Sequence, residues 1–81
     1  MDPQEARERF VRSLLDKIDD TNFPSNELLT RVEGSIGTTD ELTQYAEILI
    51  KKVEGTKFPS SELLGRVEGV VQRLAAVGDE G

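Results

Sequence analysis

Phe23–Gly34 reads F-P-S-N-E-L-L-T-R-V-E-G, and Phe58–Gly69 reads F-P-S-S-E-L-L-G-R-V-E-G. The second stretch begins thirty-five residues after the first, and ten of the twelve pairs are identical. Each phrase reads as a helix stop followed by a helix start. Pro24 and Pro59 fix their own φ and push the preceding Phe into an extended conformation. A helix arriving from upstream must therefore end near Thr21 or Thr56. Ser25 and Ser60 stand where an N-cap belongs, with hydroxyls able to accept from free N–H groups of the next helix. Glu27 and Glu62 fall in the first turn, where negative charge suits the helix dipole. They precede Arg31 and Arg66 by four residues, an order that predicts two surface pairs worth ~0.2–0.5 kcal/mol each. Leu28 with Val32, and Leu63 with Val67, form the apolar stripe. Phe23 and Phe58 are expected to plug the space between the helices they join.

Outward from the phrase, Phe10–Ile36 aligns without a gap on Tyr45–Val71, and 13 of the 27 pairs are identical. Phe10 faces Tyr45, Leu15 faces Ile50 and Ile18 faces Val53 in that alignment. The chain thus repeats one helix-turn-helix unit, over 10–36 and again over 45–71. The expected fold is all-α: one four-helix domain spanning 1–81, built from two duplicated helical hairpins with pseudo-twofold symmetry. Short connections favour antiparallel neighbours.

Local signals place the four helices. Asp2, Pro3 and Glu5 predict a first helix over Met1–Asp20. Its expected core face is Ala6, Phe10, Leu14 and Ile18, widened by Val11 and Leu15. The second runs from about Asn26 to Gly34 or Ser35. Gly34 either ends that helix in the left-handed conformation or marks close helix packing. Its twin Gly69 sits inside a continuing apolar pattern, which favours close packing there. Thr38 and Glu41 form a capping box, so the third helix starts near Thr39. The fourth runs from about Ser61 to Ala76, with a frayed tail over 78–81.

Composition narrows the function. The chain has 81 residues, net charge −6, 36% hydrophobic and 32% charged residues, and no Cys, His or Trp. Without Cys there is no disulfide or thiolate metal site. Without His the usual base of a nucleophilic triad is missing. The carboxylates are scattered over helix surfaces, which does not make an acid–base pair. No Gly-rich phosphate loop occurs. Asp20–Phe23 begins like a calcium loop, but Pro24 takes a ligand position and Arg31 replaces the closing Glu. The period is near that of the tetratricopeptide repeat, yet that repeat's aromatic, Gly and Ala pattern is absent. Acidic helical domains of this size also include acyl carrier proteins, whose modified Ser lies in a D-S-L context not found around Ser25 or Ser61. No enzyme activity, metal or cofactor is expected. Acidity opposes nucleic acid and anionic membranes. No apolar run is long enough to span a bilayer, and Asp2, Glu5 and Glu8 oppose a secretory signal. The expectation is a cytoplasmic protein, bacterial by its size.

What remains is a non-catalytic interaction module, binding a protein partner or itself as a homodimer. So small a core supplies only ~3–5 kcal/mol, and association would add to it. The expected contact residues are Ile48, Leu29, Ile36, Leu64 and Val71. Ile48 lies roughly 120° from the centre of its helix's stripe, and its counterpart is Ser13. The other four lie at stripe edges. Phe23, Pro24, Ser25, Phe58, Pro59 and Ser60 anchor the repeat. Two other readings use different residues. An acidic inhibitor of a basic protein, antitoxin-like or immunity-like, would use Asp16, Asp19, Asp20, Glu33 and Glu68. A nucleic-acid-binding helix-turn-helix would use Arg7, Arg9 and Arg12, against the overall charge.

Overall fold

A computed structural model describes residues 1–79. It is all-helical, with four helices and no strand among the described residues. They are α1 (Pro3–Asp20), α2 (Asn26–Ser35), α3 (Thr39–Gly55) and α4 (Ser61–Asp79). No described helix is long and apolar enough to cross a membrane.

The starts follow the chemistry of the caps. Asp2 accepts from Glu5 N at 2.7 Å, and Pro3 opens α1. Ser25 Oγ accepts from Leu28 N at 3.1 Å, and Ser60 Oγ accepts from Leu63 N at 3.1 Å. Thr38 and Glu41 form the reciprocal capping box. The stops before each F-P-S are alike: the N–H groups of Thr21 and Thr56 donate to Ile18 O and Val53 O, both at 3.2 Å. Lys52 Nζ then donates to Thr21 O at 2.6 Å and Asp19 O at 3.4 Å. A cation thereby sits on the carbonyl end of α1, where the helix dipole favours it.

The helices pack as neighbours in the order α2, α1, α3, α4. Side chains of α2 and α4 also meet, so this row is curled. The core is Val11, Leu14, Leu15 and Ile18 of α1, Leu29 and Val32 of α2, Leu42, Tyr45, Ala46 and Leu49 of α3, and Val70 of α4. At the far end of α1, Arg7 donates to Glu41 at 3.0 Å and to Ser35 O at 3.3 Å. Burial raises the Glu41 pKa, but hydrogen bonds from Arg7, Gly37 and Thr38 outweigh it and hold this carboxyl below the usual glutamate range.

Several expectations fail here. Phe10 is 51% exposed, and Ala6 is exposed; the core face of α1 is rotated towards Val11 and Leu15. On α2 the buried leucine is Leu29, while Leu28 is half-buried. On α3, Ile48 is half-buried against the core and Ile50 is exposed. α3 has α1 on one side and α4 on the other, so its apolar arc is wider than one stripe. α4 continues to Asp79, past the expected end at Ala76; of the expected frayed tail, residues 80 and 81 lie outside the described residues.

The glycine readings also fail. No described glycine has positive φ, and α2 ends on the extended Ile36. A Cβ added at Gly34 or Gly69 would meet nothing within 4 Å, so neither marks close packing. Both sit in helices at a cost of about 0.5–1 kcal/mol relative to Ala. Gly69→Ala should therefore raise stability by about that amount, read as a higher urea midpoint. A lower midpoint would revive the packing role.

Candidate functional site

The two F-P-S turns lie together. Both line one cleft of about 320 Å³, the first through Phe23, Pro24 and Leu29 and the second through Phe58, Pro59 and Leu63, together with polar residues that include Asn26, Lys52 and Glu62. A second cleft of about 460 Å³ adjoins it, bounded by Phe23, Ile48, Asp19, Lys51, Lys52 and Thr56. Phe23 and Lys52 border both. The smaller cleft is the one that both copies of the phrase build.

The two phenylalanines do not plug the core. Phe23 is 84% exposed and Phe58 is 83% exposed. The reason is local. Each preceding helix has already stopped at Thr21 or Thr56, and the proline keeps the Phe extended, away from the helix pair. Leaving a Phe in water forgoes ~1.5–3 kcal/mol of burial. Lys57 Nζ lies 5.9 Å from the Phe58 ring centroid, at the outer limit of a cation–π contact. Serine and threonine at these turns serve as caps, and the nearby lysines are engaged: Lys52 with α1 carbonyls, Lys51 with Asp19 at 3.7 Å.

A polar knot reaches the cleft's lining residue Asn26. Arg66 does not pair with Glu62 as its spacing predicts. It crosses from α4 to α2, donating from Nη1 to Glu33 Oε2 at 2.8 Å and from Nη2 to Thr30 Oγ1 at 3.1 Å and Asn26 O at 3.3 Å. The Tyr45 hydroxyl donates to the same Glu33 oxygen at 2.6 Å. Tyr45 is fully buried; burial first, then its bond to the Glu33 carboxylate, push the phenol well above the ordinary tyrosine value. For Arg66, burial lowers the pKa, but Glu33 outweighs it and the net shift is upward. Arg66 Nε is buried with no protein partner among the described residues. In the first repeat the pair does form as spaced: Arg31 donates to Glu27 at 3.4 Å, with both side chains largely exposed.

The expected contact residues scatter. Leu29 is a core residue, because α2 presents that side to α1, and it is not available to a partner as a surface contact. Ile36 and Ile48 are half-buried and packed on the core. Leu64 and Val71 are 39% and 46% exposed on α4, whose backbone neighbour among the described residues is α3. Ile48 borders the larger cleft and Leu29 the smaller. Residues assigned to the other readings are partly committed within the fold: Glu33 to Arg66 and Tyr45, Arg7 to Glu41. The exposure of the phenylalanines is the feature that sequence reasoning missed. The X-Pro rule carried the signal, since it forbids those residues from joining either helix. The chain matches no family model, no curated protein and no solved structure.

Proposed function

We propose that this is a non-catalytic interaction module whose docking face is the pair of F-P-S turns. One observation carries the reading: two phenylalanines, at equivalent places in a duplicated phrase, stand exposed and line one cleft. Single exposed apolar residues are ordinary, whereas a paired aromatic patch marks a surface meant to be covered. Aromatic anchors at the centre of a patch are also where binding energy concentrates.

The area favours a segment of another protein over a second copy. Two phenylalanines offer roughly 300–500 Å². A stable symmetric dimer needs ~800 Å² per partner. A short apolar-anchored segment laid across both rings fits the smaller figure. The chain itself reads as two tandem helical hairpins related by an approximate twofold, which explains why one face carries the anchor twice. Matched helix stops at Thr21 and Thr56 and matched caps at Ser25 and Ser60 support that reading. The reading places the protein in the cytoplasm, consistent with its acidic, cysteine-free chain.

The test is the double variant Phe23→Ser, Phe58→Ser. Because both rings are exposed, stability should change by no more than about 0.5 kcal/mol. A protein captured stoichiometrically from lysate by the parent chain should be lost with the variant. Equal capture by both chains would refute the assigned face.

A further inference from the structure

We infer that Arg66 is a positioning residue: it sets the separation of the two F-P-S turns and hence the width of the cleft between them. Each turn is carried by the helix it starts, the first by α2 and the second by α4. α2 packs on α1, and α4 packs on α3; no backbone-level packing joins α2 to α4. The polar bridge between them is Arg66. Its guanidinium meets Asn26, Thr30 and Glu33, at i, i+4 and i+7 along one side of α2. A planar fork holds its donors on both terminal nitrogens in one rigid arrangement, whereas a lysine carries its three donors on a single rotatable ammonium.

The repeat itself marks this bridge. The two phrases differ at two positions only: Asn26 against Ser61, and Thr30 against Gly65. Of these, Thr30 is an Arg66 contact through its side-chain hydroxyl, whereas the Asn26 contact is a backbone carbonyl that any residue would offer. Gly65 has no hydroxyl to offer the equivalent Arg31, which keeps its local partner Glu27. The same Arg–Glu chemistry is thus used locally in one copy and across the fold in the other. The bridge lies close to the cleft, since Arg66 is six residues, ~9 Å along the helix, from the Ser60 cap.

The link from cleft width to binding rests on the docking reading above; the geometry of the clasp does not.

The chain has no cysteine, so two introduced thiols carry the only spin labels. Asn22→Cys and Lys57→Cys place one label beside each phenylalanine, at exposed positions. Electron–electron distance measurement on the isolated chain should give one narrow distribution. Arg66→Ala should broaden it and shift it to longer distance, with helical content retained. Arg66→Lys and Thr30→Gly keep most of the local packing, and each should broaden it to a lesser degree. If Arg66→Ala does not fold, these two variants decide. An unchanged distribution in every folded variant overturns the inference. No partner is present in this measurement, so its failure is distinct from unchanged capture by the Phe23→Ser, Phe58→Ser variant.

Discussion

Replacing Tyr45 by Ala leaves most of the protein unfolded at room temperature. Tyr45 is the largest fully buried side chain, and it touches the core and the polar knot at once. Truncating a buried aromatic costs ~3–5 kcal/mol. A single small core supplies about the same amount in total. Tyr45→Phe separates the two roles. It keeps the ring and removes a bond to a charged acceptor, which costs ~1.5–3 kcal/mol. The same residue gives the stability a pH dependence of definite sign. The folded state holds the phenolic proton above the ordinary value of 10.0. Its contribution is therefore fully present below that pH and is lost as the pH rises, because the unfolded chain ionises first. Tyr45 is the chain's one tyrosine and there is no tryptophan, so phenolate absorbance reports this group alone. The parent chain should ionise together with unfolding, in one cooperative step. Ionisation near the ordinary value in a still-folded chain would show that the phenol is neither buried nor bonded.

Leu29→Ala and Leu64→Ala are the same substitution at the same place in the two phrases, and they should differ severalfold. Leu29 is 3% exposed and belongs to the core; Leu64 is 39% exposed on α4. Removing Leu29 opens a cavity between α1 and α2 and costs ~2–5 kcal/mol. Removing Leu64 trims a side chain that is already partly in water and costs about 1 kcal/mol. Urea titration of the two variants checks this directly. Equal losses would mean that the hairpins are buried alike, and that the open side of α4 is covered within the folded chain.

That inequality shows where the sequence stops being readable. Helix number, caps and stops were legible because each depends on a few neighbours: Asp2, Ser25, Thr38 and Ser60 act within four residues of themselves. Packing direction was not. A stripe analysis gives each helix one partner, whereas α3 has two, so Ile48, expected off its helix's stripe, packs against the core. Arg66 looked like the twin of Arg31 because both follow a Glu by four. Its actual partners lie thirty-three to forty residues away, where local spacing says nothing. The phenylalanines were misplaced for a related reason. Hydrophobicity pointed them inward, but the proline constraint on the backbone prevailed. The candidate site emerges from those two departures together: anchors left outside, and a clasp that holds the turns bearing them.

The most direct test of the docking face is photo-cross-linking in cells, with benzoylphenylalanine placed at Phe23, at Phe58 or at the exposed α4 residue Gln72. Positions 23 and 58 should each give an adduct with the same partner protein, and position 72 should give none. Absence of adducts at both phenylalanines, equal labelling from Gln72, or adducts with a second copy of the chain alone would contradict the account.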